Sequence, residues 1–471
     1  MPTQDRSRIW STTVAALIII CVFGWLGIQS RTGFLNNEDE FLTAERSREM
    51  LLQGPWAVHD NFEVIDVKPP LQYWLTALTL PLFKNREFAV RLWPLIYGAL
   101  TAAALGWLAF VVDPSRPWLI ALSVALLLSC PIFLRETCRA LLDTGLTLFA
   151  TLAIVFAQLA RSRPGWWFAV ALTCWLGALQ KIPLIILVWL IIIVIRLSTR
   201  NRQEPVLTGW LLAAMLSAIL ALAAWPVIQL FEFRLSPAKL FRFQEAVDIT
   251  WRNASQPYLE IPFRLTTTWP CGAFALAALF LLPYTTKNKT RSAAAELSFL
   301  CLSLIVLSVI SNLRSIRYLL PIVPCLCLLL SFFLSWMLER RRTIYTVAFS
   351  LIMGLSAAGF PIGQMLITKN RRDYSDQVRI AQQLSAKQTG DRQSVIVEAD
   401  NGMLAEEFYL FYGNLHFHLA NFTVDQMREN PPSPPLIGIC NARDLPIVQE
   451  RFPNLSIQLA IGTFNCWEVD D

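Results

Sequence analysis

Windows of roughly 20 mostly apolar residues, the length a helix needs to cross a bilayer, recur along this chain from residue 9 to residue 367. They fall near 9–29, 88–112, 118–134, 140–160, 166–180, 183–197, 207–231, 268–284, 295–311, 317–338 and 344–367. Few folds are open to such a chain. In hydrocarbon every backbone N–H and C=O must be satisfied within the segment, so the pattern predicts about eleven transmembrane helices. Composition agrees, with 55% hydrophobic and only 16% charged residues. A soluble domain carries about 25% charged residues, which excludes a soluble enzyme and a disordered chain alike. The net charge of +6 does not mark a nucleic-acid-binding face, because the Arg and Lys residues lie in short runs between apolar windows.

The fifth and sixth windows share a break at Gln180-Lys181-Ile182-Pro183, which predicts either one re-entrant pair or two short spans. If the helices alternate, Arg6/Arg8, Arg116, Arg161/Arg163, Arg196/Arg200/Arg202, Lys287/Lys289/Arg291 and Arg340/Arg341/Arg342 fall on one side. The positive-inside rule makes that side the cytoplasm. The loop 30–87, the stretch 232–266 and everything after about 368 are then outside. The first apolar run lacks a small-residue cleavage site after it and reads as an uncleaved anchor.

Beyond residue 370 charge returns, and the pattern predicts a small α/β domain of about 100 residues. Its expected strands are Gln393–Glu398 and Leu436–Cys440, its helices Met403–Tyr412 and Leu445–Phe452, and its last element a strand or hairpin at Ile457–Val469. Eight of the ten cysteines lie in or beside apolar segments and behave as small hydrophobes. Cys440 and Cys466 lie in the polar tail, where an oxidising compartment would allow a disulfide. No metal-spaced CxxC occurs, and His416 and His418, at strand-like spacing, make a poor metal site on their own.

The first outer loop is the richest in chemistry. Asn36-Asn37-Glu38-Asp39-Glu40 places three acids just past the first span. Either Asp39 caps a helix Glu40–Gln53, or a carboxylate here is tuned as a general base or cation site. Lys68, followed by two prolines and the aromatic pair Tyr73-Trp74, stands near an expected helix N-terminus. It could hold a phosphate there or snorkel to lipid headgroups. Asp143 heads an apolar span, where a carboxylate either caps the helix or faces a wet cavity. Glu136, Arg139 and Asp143 have spacings of three and four and could share one helical face. Arg317 and Tyr318, at the mouth of another span, are either phosphate ligands or interfacial anchors.

Together these residues carry a family resemblance. Asp39-Glu40, Ala44-Glu45-Arg46-Ser47-Arg48-Glu49-Met50-Leu51, Gly54-Pro55-Trp56, Lys68-Pro69-Pro70-Leu71-Gln72-Tyr73-Trp74-Leu75 and Glu87-Phe88-Ala89-Val90-Arg91-Leu92 resemble the aminoarabinose transferases. They also resemble the wider bacterial family related to protein O-mannosyltransferases. Leu141-Leu142-Asp143 and Arg317-Tyr318-Leu319-Leu320-Pro321 fit the same family, so the match runs in order through roughly residues 1–340.

The resemblance implies a polytopic α-helical membrane protein of the C-type glycosyltransferase fold. Residues 1–367 would form a transmembrane transferase domain with its catalytic first periplasmic loop at 30–87, and residues 368–471 a periplasmic α/β domain. The implied reaction moves a sugar from a polyprenyl-phosphate donor to a lipid A, glycan or protein acceptor at the outer face of a bacterial inner membrane. Asp39 matches the essential first-loop acid with Glu40 as its partner, and Asp143 the second acidic position. Lys68 and Arg317 match basic residues near the lipid phosphate, with Tyr318, Arg139 and Arg252 as further contacts, and Tyr73 and Trp74 would line the lipid groove. The relatives carry a glutamate directly before Lys-Pro-Pro, where this chain has Val67, with Asp66 one place off. A metal at that position and aminoarabinose as the sugar are therefore not implied. No particular cofactor is implied, and a divalent cation is left open.

The chemistry that the resemblance implies agrees with the residues read one by one. A sugar phosphodiester is already activated, so transfer needs a base and cations for the leaving phosphate, and the chain has no phosphate-cradling glycine loop. The competing expectation is a transporter or lipid-linked sugar flippase, whose carboxylates would lie in mid-helix.

Overall fold

The computed structural model describes residues 3–65, 69–198, 209–232, 260–285, 288–310, 316–340, 343–369, 372–387, 392–398 and 405–470. Its helices are α1 (Thr3–Ser30), α2 (Glu38–Gln53), α3 (Leu71–Thr79), α4 (Arg86–Val112), α5 (Trp118–Leu128), α6 (Pro131–Thr137) and α7 (Asp143–Leu159). Then follow α8 (Trp167–Gln180), α9 (Ile182–Ser198), α10 (Gly209–Glu232), α11 (Glu260–Thr268), α12 (Gly272–Thr285) and α13 (Asn288–Ile310). The last are α14 (Val323–Glu339), α15 (Thr343–Lys369), α16 (Ser375–Lys387), α17 (Glu406–Gly413), α18 (Val424–Glu429) and α19 (Leu445–Arg451). The chain falls into two compact units, one of Met1–Arg31, Asp66–Gln72 and Arg91–Asn370, the other of Thr32–Ile65, Tyr73–Val90 and Arg371–Asp471.

The first unit is a helical membrane assembly. Among the described residues six helices are long and apolar enough to cross a bilayer, and seven if the bent pair α5–α6 counts as one span. Asp143–Leu159 and Leu184–Ser198 are shorter apolar helices. Each of the eleven apolar windows coincides with helix, but not each is a straight span. The window 118–134 bends by 73° between α5 and α6. There Cys130 precedes Pro131 and adopts φ −83°, ψ 110°, since the proline ring disfavours helical geometry in the residue before it. Gly359 of α15 packs onto this bend so closely that a Cβ would lie 1.8 Å from the Ser129 carbonyl oxygen, so only glycine fits. The break between α8 and α9 is a single extended residue, Lys181, at φ −164°. Helix α14 is almost wholly buried and forms the centre of this unit, whereas α1, α10 and α15 leave most of their apolar surface exposed, as lipid-facing helices do.

The second unit joins the segment that follows α1 to the C-terminal α/β segment. Its sheet has the order β4-β3-β5-β7-β6, from β3 (Gln393–Glu398), β4 (Leu419–Thr423), β5 (Leu436–Asn441), β6 (Ser456–Ile461) and β7 (Phe464–Val469). Strands β3, β4 and β5 are parallel, while β7 runs antiparallel to both β5 and β6. The expected terminal hairpin is present, and so are β3, β5 and both expected helices. The pattern missed α16, β4 and α18. Val395, Val397, Leu436, Cys440, Trp467 and Val469 form a core on one face with Met427 of α18 and Val448 of α19. Gly438 lies opposite Trp467, and a Cβ there would meet the indole at 2.3 Å.

Register settles the cysteines. Cys440 pairs with Asn465 and Cys466 with Ile439, so the two thiols point to opposite faces of the sheet. The disulfide that an oxidising compartment would allow is excluded by geometry. Both cysteines are free and buried, and burial pushes each thiol up to about 12.

A two-stranded hairpin, β1 (Val58–Asp60) and β2 (Glu63–Ile65), follows α2. Its turn puts Asn61 at φ 51° and Phe62 at φ 67°, positions that normally favour glycine or asparagine. Tertiary bonds hold this turn. Asn61 exchanges two hydrogen bonds with the backbone of Leu419 (2.8 and 2.9 Å), and the Phe62 N–H donates to Glu49 (3.1 Å).

Candidate active site

Two groups of polar side chains, one in each unit, contain the expected site residues that lie among those described. The first is built at the N-terminus of α7. Asp143 is the first residue of that helix, and Leu142 at the cap position supplies no side-chain bond. Its carboxylate is almost fully buried. The Lys181 ammonium lies 2.8 Å from one oxygen and the Arg317 Nε 3.8 Å from the other. Lys181 also sits over the ring of Tyr318, 4.5 Å from its centroid, and the Arg317 guanidinium lies 5.5 Å from the same centroid. The break after α8 produces this arrangement, because the extended backbone at Lys181 turns its side chain out of the helical ladder. Beside it Gln180 donates to Gln72 and to the Leu142 carbonyl, both at 3.1 Å. One buried anion is thus shared by two cations at the head of a helix.

The expected pairing of Glu136, Arg139 and Asp143 on one helix is corrected. Helix α6 stops at Thr137, and a new helix starts at Asp143, so the three do not share a helical face. Glu136 is buried and held by Arg135 (Nε at 2.6 Å) and Arg139 (3.6 Å), while Asp143 takes Lys181 and Arg317 instead.

The second group is built on α2. Asn37 caps this helix, its side-chain oxygen accepting from the Glu40 N–H at 2.8 Å. The Glu40 carboxylate reaches back to the Asn36 N–H, also at 2.8 Å. The capping role considered for Asp39 therefore belongs to Asn37, and Glu40 is the buried clasp of the turn. Asp39 lies in the first turn with its side chain partly exposed, and the helix N-terminus favours its charge. Tyr73, expected in the lipid groove, is instead buried in the core of this unit. Its hydroxyl faces Arg46 at 3.4 Å, and Arg46 in turn pairs with Asp60 at 2.5 Å. Burial raises the Tyr73 phenol, Arg46 lowers it, and the nearby Asp60 and Asp39 carboxylates raise it. Trp74 is half-exposed and donates to the Pro55 carbonyl at 2.7 Å.

The rest of α2 is unusually polar for a buried helix, with Glu45, Arg46, Arg48 and Glu49 all inside. Arg48 grips Glu45 with two bonds, of 2.8 and 2.5 Å, and also reaches the Leu415 carbonyl. Burial raises both glutamates. Arg48 pulls Glu45 back toward ionisation, while burial and the charge of Glu45 push Glu49 up to about 8. Lys68 and Arg252 lie outside the described residues. His416 contacts Asn414, and His418 lies 4.0 Å from Glu63. Among the described residues no group of three His, Cys, Asp or Glu side chains is arranged to hold a metal ion.

Sequence reasoning missed Lys181 as a site residue, although a lysine at a proline-flanked break between two apolar windows was a signal in plain view. It also missed the Arg46–Asp60 pair, which nothing in the spacing of the chain reveals.

The fold is that of the C-type membrane glycosyltransferases. The profile described as dolichyl-phosphate-mannose-protein mannosyltransferase matches residues 67–228. Within that class the chain is similar to the undecaprenyl phosphate-alpha-4-amino-4-deoxy-L-arabinose arabinosyl transferase of Pectobacterium atrosepticum, at 26% identity over 381 residues, 76% of this chain and 67% of the relative. The Edwardsiella ictaluri enzyme of that name is 32% identical over 206 residues, 40% of this chain and 35% of the relative. Among solved structures, ArnT from Cupriavidus metallidurans bound to undecaprenyl phosphate superposes with a TM-score of 0.73 at 16% identity, covering 96% of this chain and 97% of that one. The Archaeoglobus fulgidus oligosaccharyltransferase shares the fold more distantly, with a TM-score of 0.57 at 11% identity, covering 87% of this chain and 64% of that one.

Proposed function

We propose that the protein transfers a sugar from an undecaprenyl-phosphate donor to a hydroxyl of lipid A, another envelope glycan or a protein, at the outer face of the bacterial inner membrane. The N-terminus would lie in the cytoplasm and residues 368–471 in the periplasm. The observation that carries the reading is the buried Asp143 carboxylate shared between Lys181 and Arg317 at the head of α7. Two cations held this way can take up the charge of a leaving phosphate, and 96% of the chain superposes on a structure that holds undecaprenyl phosphate.

Asp39 takes the proton of the acceptor hydroxyl. The acceptor oxygen forms a new bond to the anomeric carbon with inversion. The bond from that carbon to the phosphate oxygen breaks, and its electron pair leaves on undecaprenyl phosphate. Arg317, Lys68 and Arg252 receive the charge, with Tyr318 donating a hydrogen bond beside them. Asp143 orients Arg317 and Lys181. Glu40 holds the turn that carries Asp39, and Arg139 serves Glu136. A phosphodiester donor is activated already, so no cofactor is needed to drive transfer. A transporter is the weaker reading, because Asp143 is the first residue of its helix and not a mid-span relay.

The test is mass spectrometry of total lipids and envelope glycans from cells expressing the wild type or Asp39→Asn at matched protein levels. Accumulation of an undecaprenyl-phosphate sugar together with loss of one glycan is the expected result, and it identifies both substrates. Unchanged lipids and glycans would defeat the reading.

A further inference from the structure

Local bonds fix α2 from Asn37 onward, through the Asn37 cap and the Glu40 clasp. They do not fix how the first turn of that helix, which carries Asp39, is set within its unit. Residues far along the chain do so. The Leu35 N–H donates to the Tyr412 hydroxyl, 377 positions away, at 3.0 Å. Phe34 meets the Tyr412 ring edge-on, with centroids 5.7 Å apart. On the other side of Asp39, Phe41 meets Phe408 edge-on at 5.1 Å and Tyr374 at 6.2 Å. Leu35, Phe41, Phe408 and Tyr374 are all buried. The Asp39 turn is thus gripped on both flanks by one aromatic cluster that belongs to the C-terminal segment, and all of these contacts lie within one compact unit.

We propose that the C-terminal α/β segment is a working part of the transfer reaction, with Tyr412 and Phe408 as positioning residues that hold the Asp39 turn in register. This rests on Asp39 being the acceptor base. The segment then acts on the chemical step and not on capture of the lipid donor. A buried aromatic pair gives rigidity, and the Tyr412 hydroxyl gives direction by taking a backbone N–H that the helix cannot satisfy. A misplacement of about 1 Å can cost a proton transfer as much as roughly a hundredfold in rate, so the grip has a kinetic consequence.

The test uses the full-length protein in detergent and in cells. Tyr412→Phe keeps the ring and removes only the hydroxyl. It should speed amide exchange at Leu35 through Phe41 by roughly five- to tenfold, as expected for one lost hydrogen bond, while the sheet β3–β7 keeps its protection. Formation of the glycan lost in Asp39→Asn should fall about tenfold, with binding of undecaprenyl phosphate unchanged. Phe408→Leu, which keeps apolar volume but loses the edge-on contact, should act in the same direction. Unchanged exchange at Leu35 with unchanged transfer would overturn the proposal. So would a parallel loss of undecaprenyl phosphate binding, which would mark a general structural role. Normal transfer by Asp39→Asn would defeat the base assignment and this proposal with it, and that outcome is visible without Tyr412→Phe.

Discussion

Replacing Glu49 with glutamine should sharply reduce the pH dependence of α2 and the hairpin that follows it. Glu49 is buried on α2, accepts the Phe62 N–H at 3.1 Å, and lies in the field of the neighbouring Glu45. Burial first, and the Glu45 charge second, push its carboxyl from an ordinary 4.5 up to about 8. The folded protein therefore holds a proton that the unfolded chain releases above about pH 4.5. The stability it contributes is complete below that pH, declines as pH rises toward 8, and is lost above it. One proton is worth about 1.4 kcal/mol per pH unit inside this window. Between pH 6 and pH 8 the local stability of α2 and its hairpin should fall by about 1–2 kcal/mol, after allowance for partial ionisation and residual solvent screening. Glutamine keeps the acceptor for Phe62 and a donor for Glu45 but cannot ionise. The assay is amide exchange of residues 58–65 in the full-length protein, corrected for the intrinsic effect of pH. Wild type should lose protection by roughly five- to thirtyfold across that range, and Glu49→Gln should lose markedly less, the remaining slope coming from Glu407, which burial pushes up to about 7. Equal pH slopes for the two proteins would refute the argument, as would a wild-type slope of the opposite sign.

Two further outcomes follow from the membrane unit. Lys181→Met removes the 2.8 Å partner of a buried carboxylate, so it should lower thermal stability by about 1.5–3 kcal/mol and reduce glycan formation, with Lys181→Arg recovering part of both. A melting temperature and glycan level equal to wild type would show that Asp143 does not depend on Lys181. Gly359→Ala places a methyl group against the Ser129 carbonyl and should destabilise detergent-solubilised protein by about 1–3 kcal/mol in a thermal melt, whereas Gly354→Ala, with nothing near its added Cβ, should not.

The polytopic helical class, the eleven apolar windows and most strands of the tail were legible in the chain, because hydrophobic runs and alternation are local signals. So were the types of residue that carry the chemistry, since a carboxylate at a span boundary is costly enough to stand out. Partnership was not legible. Asp143 could have paired within its own segment, and the spacing to Glu136 and Arg139 invited that reading. The stop of α6 at Thr137 and the extended Lys181 gave it other partners. Cys440 and Cys466 share a polar tail, yet a one-residue register puts them on opposite faces of the sheet. Tyr73 reads as an interfacial aromatic in a membrane protein, but it is buried against Arg46. The sequence by itself determined which segments enter the bilayer and which residues are chemically capable, because burial and period act over a few turns. The tertiary structure alone decided that Tyr412 grips the turn of Asp39, and that Lys181 and Arg317 share Asp143. Hydrogen bonds and ion pairs act over about 3–4 Å, and only the folded chain brings residues so distant in sequence that close.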